Sequence, residues 1–192
     1  MAVFPVILDS DVVFGINSTD LLMSLGHAGM FRPHWTKEIL DGAERNILKV
    51  RPGIDPAQLR LRFDAMNEAI PDALIEVPSG LETTMSNHPG DRHVVAAAVF
   101  IGAPTIVTNN LKHFLPEDCE PYGVEAQSAD VFVEHLVSLN PAAVRDVFVA
   151  IANRRRPPES VAELVNNMRG TFPPALAALD AAIVTALESV GA

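Results

Sequence analysis

The stretch VILDSDVVF, residues 6–14, sets two carboxylates, Asp9 and Asp11, at the tip of an apolar run. Val6 to Leu8 reads as a buried strand and Val12 to Phe14 as its exit, so the acids stand where the chain leaves the interior. Outward from this point the pattern alternates. Asp20 to Gly29 predicts a short helix stopped by glycine. His34 to Leu48 carries Trp35, Ile39, Ala43 and Ile47 at four-residue steps, with Thr36 as N-cap, and predicts an amphipathic helix. Pro56 to Ala69 predicts another, with Leu59, Phe63, Met66 and Ile70 on one face. Ala73 to Val77 is a short strand, Asp91 to Ile101 an Ala/Val-rich helix, Thr105 to Thr108 a strand and Tyr122 to Ala126 a further one. Strands alternating with helices pair in parallel through right-handed crossovers, which gives a three-layer α/β/α domain with a central parallel sheet. In such sheets ligands bind beyond the carboxyl ends of the strands. Asp9 stands at that edge, and so do Thr108, Asn109 and Asn110 of TIVTNN, residues 105–110.

From about Ser138 the pattern is helical only: Pro141 to Asn153, Pro158 to Arg169 and Pro173 to Ser189, each begun near a proline. The expected organisation is therefore a domain over residues 1–137 followed by a helical C-terminal region over 138–192.

With 48% apolar residues in a chain of 192, there is enough to bury a core. The formal net charge of −10 is uneven. Residues 1–137 hold 9 basic and 19 acidic side chains, and 138–192 hold 5 of each, so the excess acid lies wholly in the first part. That is the wrong sign for a protein that grips a polyanion through a Lys/Arg surface. Either the ligand is not a polyanion or metal ions offset the charge. The single cysteine, Cys119, excludes an internal disulfide, and MAVFPVILDSD has no basic region ahead of an apolar one. A cytoplasmic setting is expected. Val94 to Leu111 carries no charge, yet its Gly-Ala-Pro centre and Asn-Asn end fit helix, turn and strand better than a membrane span.

Two chemistries use an acid at a strand tip. Strand-Asp-x-Asp-Val resembles the opening motif of haloacid dehalogenase-type phosphatases, where the first Asp is a nucleophile. Thr108 and Lys112 match the parts that should follow, but Glu117 and Asp118 come after Leu-Pro and no apolar strand, and Gly90-Asp91 precedes Thr108. The order disagrees with that family. The alternative is a metal-dependent nuclease, in which carboxylates from separate strand ends hold Mg2+ or Mn2+ and a bound water attacks the phosphodiester.

Four stretches carry a more specific likeness: ILDSDVVF, then TDLLMSLGHAGMFRPHWTKEILDGAERNI, then NHPGDRHVVAAAVFIGAPTIVTNNLKHF, and PYGVEAQSADVFVEHLVSLNP. In order and spacing the chain resembles PIN-domain proteins, in particular the VapC-type ribonuclease toxins of bacterial toxin-antitoxin pairs. The resemblance covers most of residues 4–141. It implies a PIN-like fold, a Mg2+- or Mn2+-dependent endoribonuclease, an RNA substrate, a cognate antitoxin partner and a homodimer. Carried over by position, the first acid is Asp9, the acid opening the helix after the turn is Asp91, and the acid-or-amide position of the T-x-N/D stretch is Asn110. Asp9 and Asp91 would be the metal ligands. The family's second acid, a Glu inside helix 34–48, is replaced here by Gly42. Glycine costs a helix interior about 1 kcal/mol relative to alanine, so stability does not explain it. Glu38, one turn earlier, shares that face.

Each of these residues also has a plainer role. Asp9 begins a turn, Asp91 and Asn110 suit helix caps, Asp11 and Asp20 suit structural support, and Arg154-Arg155-Arg156 suits a solvated helix end or a partner contact. Lys37, Arg45, Arg92 and Lys112 are the basic residues nearest the expected cleft in sequence and suit phosphate contacts. The six histidines are scattered, only His88 and His93 are loosely paired, and they read as surface or core residues rather than a zinc site.

Overall fold

The structure is a computed structural model, and it describes residues 3–180. Five parallel strands form the sheet: β1 (Pro5–Leu8), β2 (Arg32–Thr36), β3 (Leu74–Ile75), β4 (Thr105–Val107) and β5 (Glu125–Gln127), in the order β3-β2-β1-β4-β5. From β1 the chain builds outward to β2 and β3 on one side, then returns to lay β4 and β5 on the other. The topological switch therefore falls between β1 and β4, where α/β sheets open a crevice at their carboxyl edge.

The helices are α1 (Ser10–Phe14), α2 (Ile16–His27), α3 (Lys37–Val50), α4 (Pro56–Ala69), α5 (Arg92–Ile101), α6 (Pro116–Cys119), α7 (Ala129–Leu139), α8 (Pro141–Arg154) and α9 (Val161–Met168). Together they flank the central sheet in the expected PIN-like α/β/α arrangement, with further helices at the C-terminal end. Val6, Ile7, Ile106 and Val107 of the central strands are fully buried. Residues 173–180 are helical, and the rest of the helix expected over Pro173 to Ser189 lies outside the described residues.

Two elements differ from the sequence reading. Arg32–Thr36 is a strand, and the helix expected from His34 starts only at Lys37, capped by Thr36, whose Oγ1 accepts the Ile39 N–H at 3.2 Å. Trp35 and Ile39 do share a direction, both being fully buried, but they reach the core across a strand-to-helix junction. Pro33 also disfavours helix at the residue before it. Ala129–Leu139 is a helix that runs through positions 137 and 138.

The uncharged stretch 94–111 folds as most of α5, a turn through Gly102 in the left-handed region (φ 65°), β4 and the start of a 3-10 turn. Among the described residues no single helix is long and apolar enough to cross a membrane.

Candidate functional site

Asp9 follows β1 directly, and its backbone N–H still donates to the Val107 carbonyl at 3.0 Å, so the residue is fixed at the switch point. It is 3% exposed and is the N-cap of α1, with Oδ1 accepting the Ser10 N–H at 2.6 Å. The segment after it turns into helix because Val12 and Val13 must return to the core. Asp11 points back toward the end of β4. There Thr108, fully buried, donates its hydroxyl to Asp9 Oδ2 at 2.8 Å and lies 3.5 Å from both Asp11 oxygens. A hydroxyl has one proton to give, so Asp9 receives it. Asp11 is held instead by the Asn109 N–H at 2.9 Å.

Asp91 reaches the same edge by a different route. In a parallel sheet the crossover helix runs against the strands, so the start of α5 lies at their carboxyl ends. The Asp91 carboxylate meets His113 Nδ1 at 2.6 Å. His113 Nδ1 is 2.7 Å from Asn110 Nδ2, and the Asn110 N–H donates to Thr108 Oγ1 at 3.1 Å. A continuous polar chain thus links Asp9, Thr108, Asn110, His113 and Asp91, and the structure brings together three of the four residues picked from the sequence.

Burial pushes the Asp9 carboxyl up from the ordinary aspartate range, opposed by the Thr108 and Ser10 hydrogen bonds, with the charge of Asp91 raising it further. Asp11 is pushed up to about 7, first by burial and then by the charge of Asp9. Neither carboxylate has an ion-pair partner among the described residues. Partly desolvated acids crowding one another suit a divalent cation.

Gly42, the fourth residue, lies in α3 against α1. A Cβ built there would meet Ser10 Cβ at 3.4 Å, an ordinary contact, and Arg45 Nη2 at 3.7 Å. Position 42 therefore faces the residue next to Asp9, and α3 has room there for a Cβ. Glu38 approaches His93 Nδ1 at 3.7 Å with its side chain 65% exposed, and the charge of His93 in turn acts on Asp9.

The plainer readings divide. Asp20 is away from this edge, paired with Arg154 and with Arg155 at 3.1 Å, which also accounts for two of the three consecutive arginines. Lys37 pairs with Asp41 at 2.7 Å, and Arg92 donates to the Asn87 carbonyl at 3.2 Å. Arg45 makes no ion pair among the described residues. Thr108 does touch Asp9, as the phosphatase reading requires. Lys112, however, is exposed without a bond to either acid, and Glu117 and Asp118 lie on α6.

The histidines depart most from the sequence reading. His88, Asp91 and His113 each offer a ligand atom within 4.8 Å of the others, a grouping compatible with a divalent metal. Spacing gave no sign of it, because 25 positions separate the two histidines and only the α5–β4 crossover closes the gap.

Among known proteins, the chain is similar to the “Putative ribonuclease VapC50” of Mycobacterium tuberculosis (strain ATCC 25618 / H37Rv). The two are 33% identical over 105 residues, which take in 49% of this chain and 62% of the relative. The chain thus spans less than two thirds of that protein's length. No family model matches the chain. No solved structure matches it either. The distant likeness and the α/β/α architecture are consistent with the PIN superfamily, and the Asp/His group at the sheet edge is compatible with a divalent metal.

Proposed function

We propose that the chain is a Mg2+- or Mn2+-dependent endoribonuclease of the VapC toxin kind, acting on RNA at the β1/β4 edge. The observation that carries the reading is the convergence of Asp9, Asp11 and Asp91 on one edge, where the first two make no ion pair among the described residues. An all-oxygen set of carboxylates suits a hard divalent ion. Asp9 and Asp91 would hold it, with Asp11 beside them. When bound, it supplies an activated water and neutralises charge on the phosphodiester. The chain's own residues do the rest. Thr108 fixes the rotamer of Asp9, the Asn109 N–H fixes Asp11, and His113 with Asn110 orients Asp91. Arg45, exposed beside position 42, is placed to meet an RNA phosphate, a contact that positions without reading sequence.

The test is cleavage of single-stranded RNA by the purified chain with Mn2+ or Mg2+. Asp9→Asn is expected to lower the rate at least ~100-fold, the scale of losing a group that organises transition-state charge. Equal rates in the two proteins would reject the reading. The same proposal includes a cognate antitoxin covering the edge, a homodimer and a cytoplasmic location.

Gly42 favours a second reading, a PIN-fold protein that binds RNA or antitoxin without cutting. It predicts RNA binding with no cleavage under any metal.

A further inference from the structure

We propose that His88, Asp91 and His113, joined by the side-chain amide of Asn110, form a site for a zinc-class divalent cation, chemically different from the carboxylate set around Asp9. The two imidazole rings stack with centroids 3.9 Å apart and planes 10° from parallel. Both therefore present Nδ1 to the same Asp91 oxygen, His113 at 2.6 Å and His88 at 3.4 Å.

These atoms compete for hydrogen-bond partners. His88 Nδ1 accepts the Gly90 N–H at 3.3 Å, so it carries a lone pair and no proton, and its approach to Asp91 Oδ2 faces one lone pair with another. His113 Nδ1 lies between Asp91 Oδ2 at 2.6 Å and Asn110 Nδ2 at 2.7 Å. A ring nitrogen offers either a proton or a lone pair in its plane, and so cannot serve a carboxylate acceptor and an amide donor together. A cation satisfies the same atoms in another way. It takes lone pairs from His113 and the carboxylate, from Asn110 Oδ1 after a half-turn of its amide, and from His88 once its half-exposed ring turns out of the stack, since lone pairs in two parallel ring planes do not meet at one ion.

Two nitrogens with one or two oxygens suit Zn2+ and its neighbours, whereas Mg2+ selects oxygen alone. The scaffold around His113 is prebuilt. Asn87, 2% exposed, donates its amide to the His113 carbonyl at 3.3 Å, and Arg92 Nε donates to the Asn87 carbonyl at 3.2 Å, tying the turn before α5 to the turn after β4. The His88 side chain is 51% exposed, which leaves an entry path. The site rests on this cluster and not on RNA cleavage, although Asp91, Asn110 and His113 also serve the reaction proposed above.

Calorimetric titration of the full chain with zinc chloride tests it. The unaltered chain is expected to bind zinc, His88→Gln and His113→Gln each to weaken binding at least about tenfold, and Asp20→Asn, away from this edge, to leave the Kd within about twofold. Circular dichroism verifies that the variants fold. Imidazole 15N NMR of the unaltered chain supplies a measurement independent of any substitution, in which two of the six histidines shift on adding zinc. Unchanged zinc affinity in a folded His88→Gln/His113→Gln double variant, or absence of any imidazole shift, overturns the proposal.

Discussion

At position 42 two separate contributions are measurable in one pair of variants. Glycine inside α3 loses backbone entropy on folding, and the space beside Ser10 accepts a Cβ at ordinary contact distance. Gly42→Ala is therefore expected to stabilise the fold by about 0.5–1 kcal/mol, read from urea unfolding, with no change in RNA cleavage. Gly42→Glu adds a carboxylate next to Asp9 and is expected to raise both Mn2+ affinity and cleavage above the Ala variant. Equal activity in the two would mean that the missing acid does not limit the chemistry. Residue by residue, legibility followed one rule. The places of Asp9, at a strand end, and Asp91, at a helix start, were readable from local signals together with the resemblance. His113 was not, because its role depends on a partner 22 positions away that only the crossover brings near. The surroundings of Asp11 were unreadable for a related reason: they come from Thr108 and Asn109, just past the end of β4.

The β1–α1 turn concentrates the electrostatics of the molecule in one short element. Asp11 ionises near its ordinary value in the unfolded chain and only near 7 in the folded one. Below about pH 4 both forms are neutral and the group costs nothing. As pH rises toward 7 the unfolded chain loses its proton first, so stability falls across that window. Asp9 shifts in the same direction. Metal-free protein is therefore expected to be less stable at pH 8 than at pH 5, by on the order of 2 kcal/mol once solvent around the partly open Asp11 is allowed for. Urea midpoints in EDTA measure this, Asp11→Asn should remove most of the difference, and Mn2+ should restore stability at pH 8. No pH dependence in EDTA would mean that the acids are not desolvated as the structure has them. Elements were legible where local signals agreed, as in α4, whose observed bounds match Pro56 to Ala69, with Asp55 capping and proline at its start. β2 was missed because Trp35 and Ile39, four apart and both buried, imitate a helical stripe across a strand-to-helix junction.

At the scale of the whole molecule the question is whether the C-terminal helices unfold with the sheet or apart from it. Aromatic packing favours one unit. Phe132 of α7 meets Phe31 edge-on at 4.9 Å and Phe4 at 6.5 Å, so α7 is built into the N-terminal core. α8 continues it: Phe148 and Ile151 are fully buried, and Arg154 and Arg155 at its end pair with Asp20 on α2. The ion pairs contribute little, being partly exposed, and Asp20→Asn is expected to cost no more than about 1 kcal/mol and to leave RNA cleavage unchanged. The apolar contacts matter more. Phe148→Ala removes a fully buried ring and is expected to cost about 3–5 kcal/mol. If sheet and helices share one core, that cost lowers a single urea transition seen alike by far-UV circular dichroism and by the fluorescence of Trp35, which is buried in β2 and donates to Asn67 Oδ1 at 2.8 Å. A Trp35 signal that keeps its midpoint in Phe148→Ala, while ellipticity is lost earlier, would show the C-terminal helices to be an independent layer and would return the 137/138 division to the sheet domain's true edge.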